Sequence, residues 1–386
     1  LKKKKEKEGM SLQQPELRVI ISGGGTGGHI FPAIAIANAL KKVNPSSEFL
    51  FVGALGRMEM EKVPAAGYSI VGLNITGIQR KFSFQNFLLP FRILNSVLKA
   101  KKIIRNFSPD VAIGVGGYAS GPLLYAAASQ GIPTLIQEQN SFAGITNKLL
   151  AKKARCICVA YEGMDKFFPA EKLVMTGNPV REETISVEGK RSEAIKFFGL
   201  DENRKTVLVV GGSLGARTIN ESIEASLQEI KSDGFQLIWQ TGKSFGSKAS
   251  AAIGSLKTSG IVTFEFIHRM DLAYAAADVI ISRSGASSVS ELALIAKPVI
   301  LIPSPNVAED HQTKNAMALV GKNAAILVAD VEARTTLFKK LKELLDNQEL
   351  QQSLSRNIKT LAVVGSAMKI ADEVYRIVSK SKTGRK

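Results

Sequence analysis

Short apolar, β-branched runs alternate with stretches whose apolar residues recur at helical spacing, and this alternation predicts parallel α/β winding. The first run, L-R-V-I-I-S at 17–22, leads through five glycines into a helical P-A-I-A-I-A-N-A-L-K-K at 32–42 and then E-F-L-F-V at 48–52. Further strands are expected at 68–73, 111–115, 134–137 and 156–160. The pattern loosens over 176–203 and restarts with T-V-L-V-V at 206–210, which runs into a second glycine loop. Strands at 236–240, 261–265, 279–282, 298–302 and 325–328 follow. The expectation is an α/β protein of two Rossmann-like halves, each opened by a strand and a glycine turn, with a ligand cleft between them. The domains read as 17–177 and 178–365, with a basic, disordered extension at 1–16 and a basic tail at 381–386. A C-terminal helix at 366–380 follows the second domain, and its return to the first stays open.

Composition changes this picture little. The chain has 386 residues, 45% hydrophobic and 22% charged, which suits two globular cores and confines expected disorder to the ends. The formal charge of +17 is partly an effect of Lys2 to Lys5, Lys7, Lys380, Lys382, Arg385 and Lys386. The body keeps about +10, enough to favour an anionic partner: nucleic acid, an anionic membrane or a phosphorylated substrate. Met10 follows nine residues that are set aside from fold reasoning. Cys156 and Cys158 lie on one face of a strand without redox spacing and read as small buried side chains. Residues 111–137 carry no charge, but G-G-Y-A-S-G-P and G-I-P break the stretch into strand, loop, helix and strand.

The candidate chemistry gathers at strand ends. Gly23, Gly25 and Gly28 satisfy G-x-G-x-x-G, yet a dinucleotide site also wants an acid at the end of the second strand, where Val52 and Gly53 stand. A nicotinamide dehydrogenase is therefore a distant reading. Five glycines exceed the need of a tight turn, so the loop is expected to bring amides at a helix N-terminus against an anion or a polar sugar. His29 is the candidate general base; the plainer alternative is a helix residue that bonds the backbone. In the second glycine loop, Ser213 could donate to a phosphate, against an equal reading as a plain turn.

D-V-I-I-S-R-S-G-A-S-S-V-S-E predicts a helix starting near Ser287 or Ser288 with Glu291 in its first turn. Ser288 and Glu291 fit a capping box; the functional alternative gives a diphosphate to the helix N-terminus and ribose hydroxyls to Glu291. Asp310, His311 and Gln312 follow another strand, and His29, His268 and His311 all fall in or beside such loops. No D-x-D and no metal-spaced Cys or His cluster is present in the sequence, so a leaving diphosphate is expected to rely on helix dipoles and amides.

Between Glu61 and Asp110 no acidic residue occurs, and aromatics lie among Arg80, Lys81, Arg92, Lys99, Lys101, Lys102 and Arg105. Phe84, Phe87, Leu88, Phe91, Leu94 and Leu98 share one helical face, with Pro90 kinking or starting the helix. The plain reading is a core helix with a solvated basic face. The sharper one is a membrane patch of Arg80, Lys81, Phe82, Phe84, Phe87, Phe91 and Arg92 for anionic head groups. No nucleic-acid motif appears, and nucleic acid is not expected as a partner.

The stretches G-G-G-T-G-G-H-I-F-P-A, G-V-G-G-Y-A-S-G-P, Q-E-Q-N-S-F-A-G-I-T-N-K, G-N-P-V-R, G-G-S-L-G-A-R, F-I-H-R-M, S-R-S-G-A-S-S-V-S-E and D-H-Q-T-K-N-A occur in order. This set resembles the MurG family of bacterial glycosyltransferases. The resemblance implies a GT-B fold and an inverting transfer of N-acetylglucosamine from UDP-GlcNAc to the C4 hydroxyl of undecaprenyl-diphosphate-MurNAc-pentapeptide, without cofactor or metal. It places the uracil at the Ile267 backbone, the ribose at Glu291 and the diphosphate at Ser213 and the amides around Ala286, Ser287 and Ser288, with Val289 and Ser290 also at the substrate. Asn140, Arg181 and Gln312 would line the donor site, and Thr26, Gly27, Gly28 and His29 the catalytic edge of the N-terminal domain. Relatives commonly carry Leu-Thr within the A-S-S stretch, so Ser287 and Ser288 depart from them. The resemblance further implies peripheral attachment to the cytoplasmic face of the inner membrane and partners among cell-wall and division proteins. A non-catalytic nucleotide-sugar sensor or membrane scaffold is the alternative.

Overall fold

The computed structural model describes residues 14–75, 89–212, 214–256 and 258–383. They divide into two compact units. The first takes the chain to Gln139, then Ala143–Pro179 and the stretch from Gly365; the second takes Asn140–Phe142 and Val180–Val364. The changeover thus falls at Pro179 rather than 177, and three residues of the expected first domain belong to the second.

In the first unit β1 (Arg18–Ser22), β2 (Glu48–Ala54), β3 (Ser69–Leu73), β4 (Val111–Gly114), β5 (Thr134–Glu138), β6 (Cys156–Val159) and β7 (Leu173–Met175) form one sheet. Its order is β3-β2-β1-β4-β5-β6-β7 and every pairing is parallel. Helices cover both faces of such a sheet, which is why β4, β5 and β6 are buried along their whole length. Cys156 and Cys158 are both buried and unbridged. The uncharged stretch resolves into β4, the helix Ser120–Ser129 and β5, and no helix among the described residues is long and apolar enough to cross a membrane.

The last helix, Ser366–Thr383, runs three residues beyond the expected end. Its Ile370, Ala371, Val374, Tyr375, Ile377 and Val378 enter one core with Ile30, Ile36 and Leu40 of the helix Gly27–Val43. The C-terminal helix is therefore part of the first unit.

The second unit repeats the topology. β8 (Thr206–Val210), β9 (Gln236–Gln240), β10 (Ile261–Phe264), β11 (Val279–Ser282), β12 (Val299–Leu301) and β13 (Ile326–Leu327) form a parallel sheet of order β10-β9-β8-β11-β12-β13. Trp239 on β9 is fully buried and donates from Nε1 to Asn220 Oδ1 at 2.9 Å. In each sheet the strand order reverses beside the opening strand, between β1 and β4 and between β8 and β11. Loops leaving the C-terminal ends of those strands diverge and form the crevice in which such sheets take ligands.

Replacing Ile370, which is wholly buried, with Ala is expected to lower stability by about 2–5 kcal/mol. A fall in the urea midpoint of the first unit's unfolding checks it.

Candidate active site

In the first unit the loop after β1 closes on the chain's own carboxylate. Glu59, 1% exposed at the start of the helix Glu59–Ala65, accepts from Gly25 N at 2.8 Å and from Ala54 N at 3.0 Å. A Cβ on Gly24 would lie 2.2 Å from Glu59 Oε1, and one on Gly23 would lie 2.8 Å from the His29 carbonyl oxygen. Gly25 holds φ at +84°, where side chains are rarely tolerated. Three of the five glycines therefore serve the chain's own packing, which corrects the expectation that their number marks a ligand. Gly28 meets only the Thr26 hydroxyl, at 3.6 Å, and Gly27 only ring atoms of Phe31.

The helix starts at Gly27, not at Pro32, and Pro32 lies inside it. Proline has no N–H to offer the Gly28 carbonyl. His29 Nδ1 sits 2.9 Å from the Gly24 carbonyl oxygen and 3.5 Å from Thr26 Oγ1. A carbonyl can only accept, so Nδ1 is assigned the proton, and in the neutral ring the lone pair then falls on Nε2. The imidazole lies over Gly116 in the loop after β4, where a Cβ would be 2.8 Å from Nε2. Gly24 N also donates to Gly116 O at 3.3 Å. The plain reading of His29 is the one seen: it bonds the backbone through Nδ1, and Nε2 lies beside Gly116.

In the second unit the helix after β11 spans Ala286–Ile295 with Gly285 as its N-cap and no side-chain cap bond. The expected Ser288–Glu291 capping box is absent, because the helix begins earlier and Glu291 falls in its second turn. Glu291 Oε2 instead accepts from Tyr274 Oη at 3.1 Å. Burial, with the Glu291 charge adding to it, pushes the Tyr274 phenol well up, so it stays a neutral donor. The amides of Ala286, Ser287 and Ser288 have no intrahelical acceptor. Ser287 Oγ is buried and finds no hydrogen-bond partner among the described residues. Val289 N bonds Gly285 O, and the Ser290 hydroxyl donates to Ala286 O at 3.1 Å, so both are used within the helix.

Asn315, wholly buried, ties the neighbouring loops together. It donates to Asn140 Oδ1 at 3.1 Å and to Ser284 O at 3.3 Å, and accepts from Ser141 N at 3.0 Å. Ser284 Oγ donates to the Gln312 carbonyl at 2.8 Å, and Gln312 Oε1 accepts from Ser304 N at 2.8 Å. Asn140 and Gln312 are thereby joined. Gln240 at the end of β9 accepts from Ile267 N at 3.0 Å and donates to Gly212 O at 2.9 Å. The Ile267 N–H is thereby spent within the protein. Arg283 is paired with Asp330 and with the carbonyls of Ile302 and Pro303. Arg181 stands before the short helix Glu182–Ile185, and its charge acts on Tyr274. His268 follows Ile267 after β10, and His311 opens the helix His311–Val320. Ser213 lies outside the described residues.

Of the basic aromatic stretch, Arg80, Lys81, Phe82, Phe84 and Phe87 lie outside the described residues. The helix Leu89–Phe107 starts at the proline, as one alternative had it. Phe91, Leu94 and Leu98 are 67%, 56% and 54% exposed while Ser96, Ala100 and Ile104 are buried. The core-helix reading fails for these three apolar residues, which form a stripe beside the half-buried Arg92. Among the described residues no group of three or more His, Cys, Asp or Glu could hold a metal ion.

Residues 19–159 match the glycosyltransferase family 28 N-terminal domain and residues 206–370 its C-terminal domain. The chain belongs to glycosyltransferase family 28. A UDP-N-acetylglucosamine–N-acetylmuramyl-(pentapeptide) pyrophosphoryl-undecaprenol N-acetylglucosamine transferase of Parabacteroides distasonis is 58% identical over 94% of the chain and 99% of its own length. A transferase of the same description from Flavobacterium psychrophilum is 53% identical over 95% and 100%. Among solved structures, Acinetobacter baumannii MurG superposes with a TM-score of 0.77 at 27% identity, covering 94% of this chain and all of that one. A UDP complex of S. aureus MnaA, at 14% identity and a TM-score of 0.66 over 94% and 97%, shares the fold alone. The two parallel units are those of the GT-B fold.

Within this family 28 chain, sequence reasoning missed Glu59, Gln240 and Asn315. The acid sought at the end of β2 does come, but six residues past Gly53, and it binds backbone amides where a dinucleotide site would bind ribose. Gln240 and Asn315 stood inside or beside quoted motifs, with only their polarity in apolar surroundings as a signal. Replacing Asn315 with Ala strips partners from Asn140, Ser141 and Ser284 and is expected to cost about 1–3 kcal/mol. Thermal unfolding of the variant beside the parent checks it.

Proposed function

We propose that this chain transfers N-acetylglucosamine, with inversion, from UDP-N-acetylglucosamine to the C4 hydroxyl of undecaprenyl-diphosphate-MurNAc-pentapeptide, the step that makes lipid II for peptidoglycan. The reading rests above all on near full-length matches, at 53–58% identity, to enzymes named for this transfer. Those relatives also disfavour the alternative of a non-catalytic sensor.

The acceptor hydroxyl attacks the anomeric carbon from the face opposite UDP. The bond from that carbon to the β-phosphate oxygen breaks, its electron pair leaves with UDP, and the hydroxyl proton passes to His29 Nε2. Thr26, Gly27 and Gly28 border the acceptor. The start of the helix Ala286–Ile295 stabilises the departing diphosphate through the amides of Ala286, Ser287 and Ser288 and the Ser287 hydroxyl, with Ser213 beside them. This needs no chelated metal and no cofactor. Glu291, oriented by Tyr274, accepts the ribose hydroxyls; the Ile267 carbonyl meets the uracil N–H. Asn140, Arg181 and Gln312 line the donor. The exposed Phe91, Leu94 and Leu98 with Arg92 support peripheral attachment to the anionic cytoplasmic face of the membrane that carries the acceptor.

Turnover of radiolabelled UDP-N-acetylglucosamine onto the lipid acceptor tests the reaction; folded protein without product would refute it. His29→Ala should lose roughly 10²-fold or more in kcat, and a near-parental rate would remove the base role. Glu291→Ala should raise KM for the donor more than it lowers kcat, because the ribose contact persists from ground state to transition state. Serine at both Phe91 and Leu94 should weaken binding to anionic vesicles in a flotation assay, and unchanged flotation would reduce the stripe to an ordinary helix face.

A further inference from the structure

The peptide between Gly24 and Gly25 is gripped from both sides. Its N–H donates to Glu59 Oε2 at 2.8 Å, and its carbonyl oxygen accepts from His29 Nδ1 at 2.9 Å. Glu59 is 1% exposed, its second oxygen is taken by Ala54 N, and no cation pairs with it among the described residues. A bond to Ala54 alone would suffice to hold the local turn after β2. The second bond reaches across 34 residues to the peptide whose carbonyl meets His29 Nδ1.

We propose that Glu59, the Gly24–Gly25 peptide and His29 form a carboxylate–peptide–imidazole relay, in which Glu59 is a positioning residue for the transfer. The inference rests on the reading of His29 as the base. The carboxylate orients the peptide plane and draws on its N–H, which makes the carbonyl on the other side a better acceptor, since hydrogen bonds in a chain polarise one another. That carbonyl holds the proton on Nδ1 and aims Nε2 at the acceptor. When Nε2 takes the hydroxyl proton, the bond from Nδ1 becomes charge-assisted and strengthens as the transition state is reached. No proton leaves Nδ1, and Glu59 remains a carboxylate throughout. The glycines follow from the same geometry: a Cβ at 24 would strike the carboxylate, and 25 needs its left-handed backbone. The relay also spends the Gly25 amide, so this loop does not cradle a phosphate with it.

The full-length protein with 15N-labelled histidine reports the tautomer directly by NMR, the His29 signals being assigned by their loss in His29→Ala. In the parent the neutral ring is expected to carry its proton on Nδ1. In Glu59→Gln, one of the two amides must face an NH2 and the charge is gone, so the tautomers should mix. Its kcat should fall about 10- to 100-fold with KM for UDP-N-acetylglucosamine unchanged within about twofold. A parent ring protonated on Nε2 overturns the relay, and needs no variant to be seen. So does a folded Glu59→Gln that keeps both tautomer and turnover. The turnover of His29→Ala judges the base reading separately, because the tautomer in the parent does not depend on it.

Discussion

Every strand pairing in both sheets is parallel, and helices bury the strands on both faces, so polar chemistry has nowhere to go but the strand ends. That constraint puts Gly116 in the loop after a strand, and His29, Glu291 and Gln312 in the first two turns of helices that follow strands, each in its own unit. It also explains the buried amide side chains at the same edges. Gln240 and Asn315 satisfy loop backbone that would otherwise face an apolar interior, and they fix the loops in doing so.

The two units use one topology in opposite ways. In the first, the glycine loop is satisfied from within by Glu59, and what it presents is an imidazole. In the second, the helix start after β11 lacks a side-chain cap and presents amides and the Ser287 hydroxyl. Under the proposed transfer, the first unit would supply a proton acceptor and the second an anion stabiliser.

Most strands were legible because buried parallel strands are short apolar runs bounded by glycine. β7 escaped because it is three partly exposed residues at the sheet edge. Both helices start earlier than the apolar pattern predicts, at Gly27 rather than Pro32 and at Ala286 rather than Ser287 or Ser288, because their first turns are rich in glycine, alanine and serine and the apolar period begins only inside the helix. His29 and Glu291 could be singled out from their residue types beside glycine and serine loops. Glu59 and Asn315 could not, since Glu59 reaches Gly25 across 34 residues and Asn315 reaches Asn140 across 175, and no local spacing announces such pairs.

The closing helix, Ser366–Thr383, has a consequence for synthesis. The first unit's core is completed by Ile370, Val374 and Val378, which are made only after the second unit's uninterrupted run from Val180 to Val364. Apart from Asn140–Phe142, which emerges earlier, the second unit is whole before the first. Ile30, Ile36 and Leu40 must wait for the helix Ser366–Thr383 to complete their packing until the second unit has been made, which makes the nascent first unit the stage most exposed to misassembly.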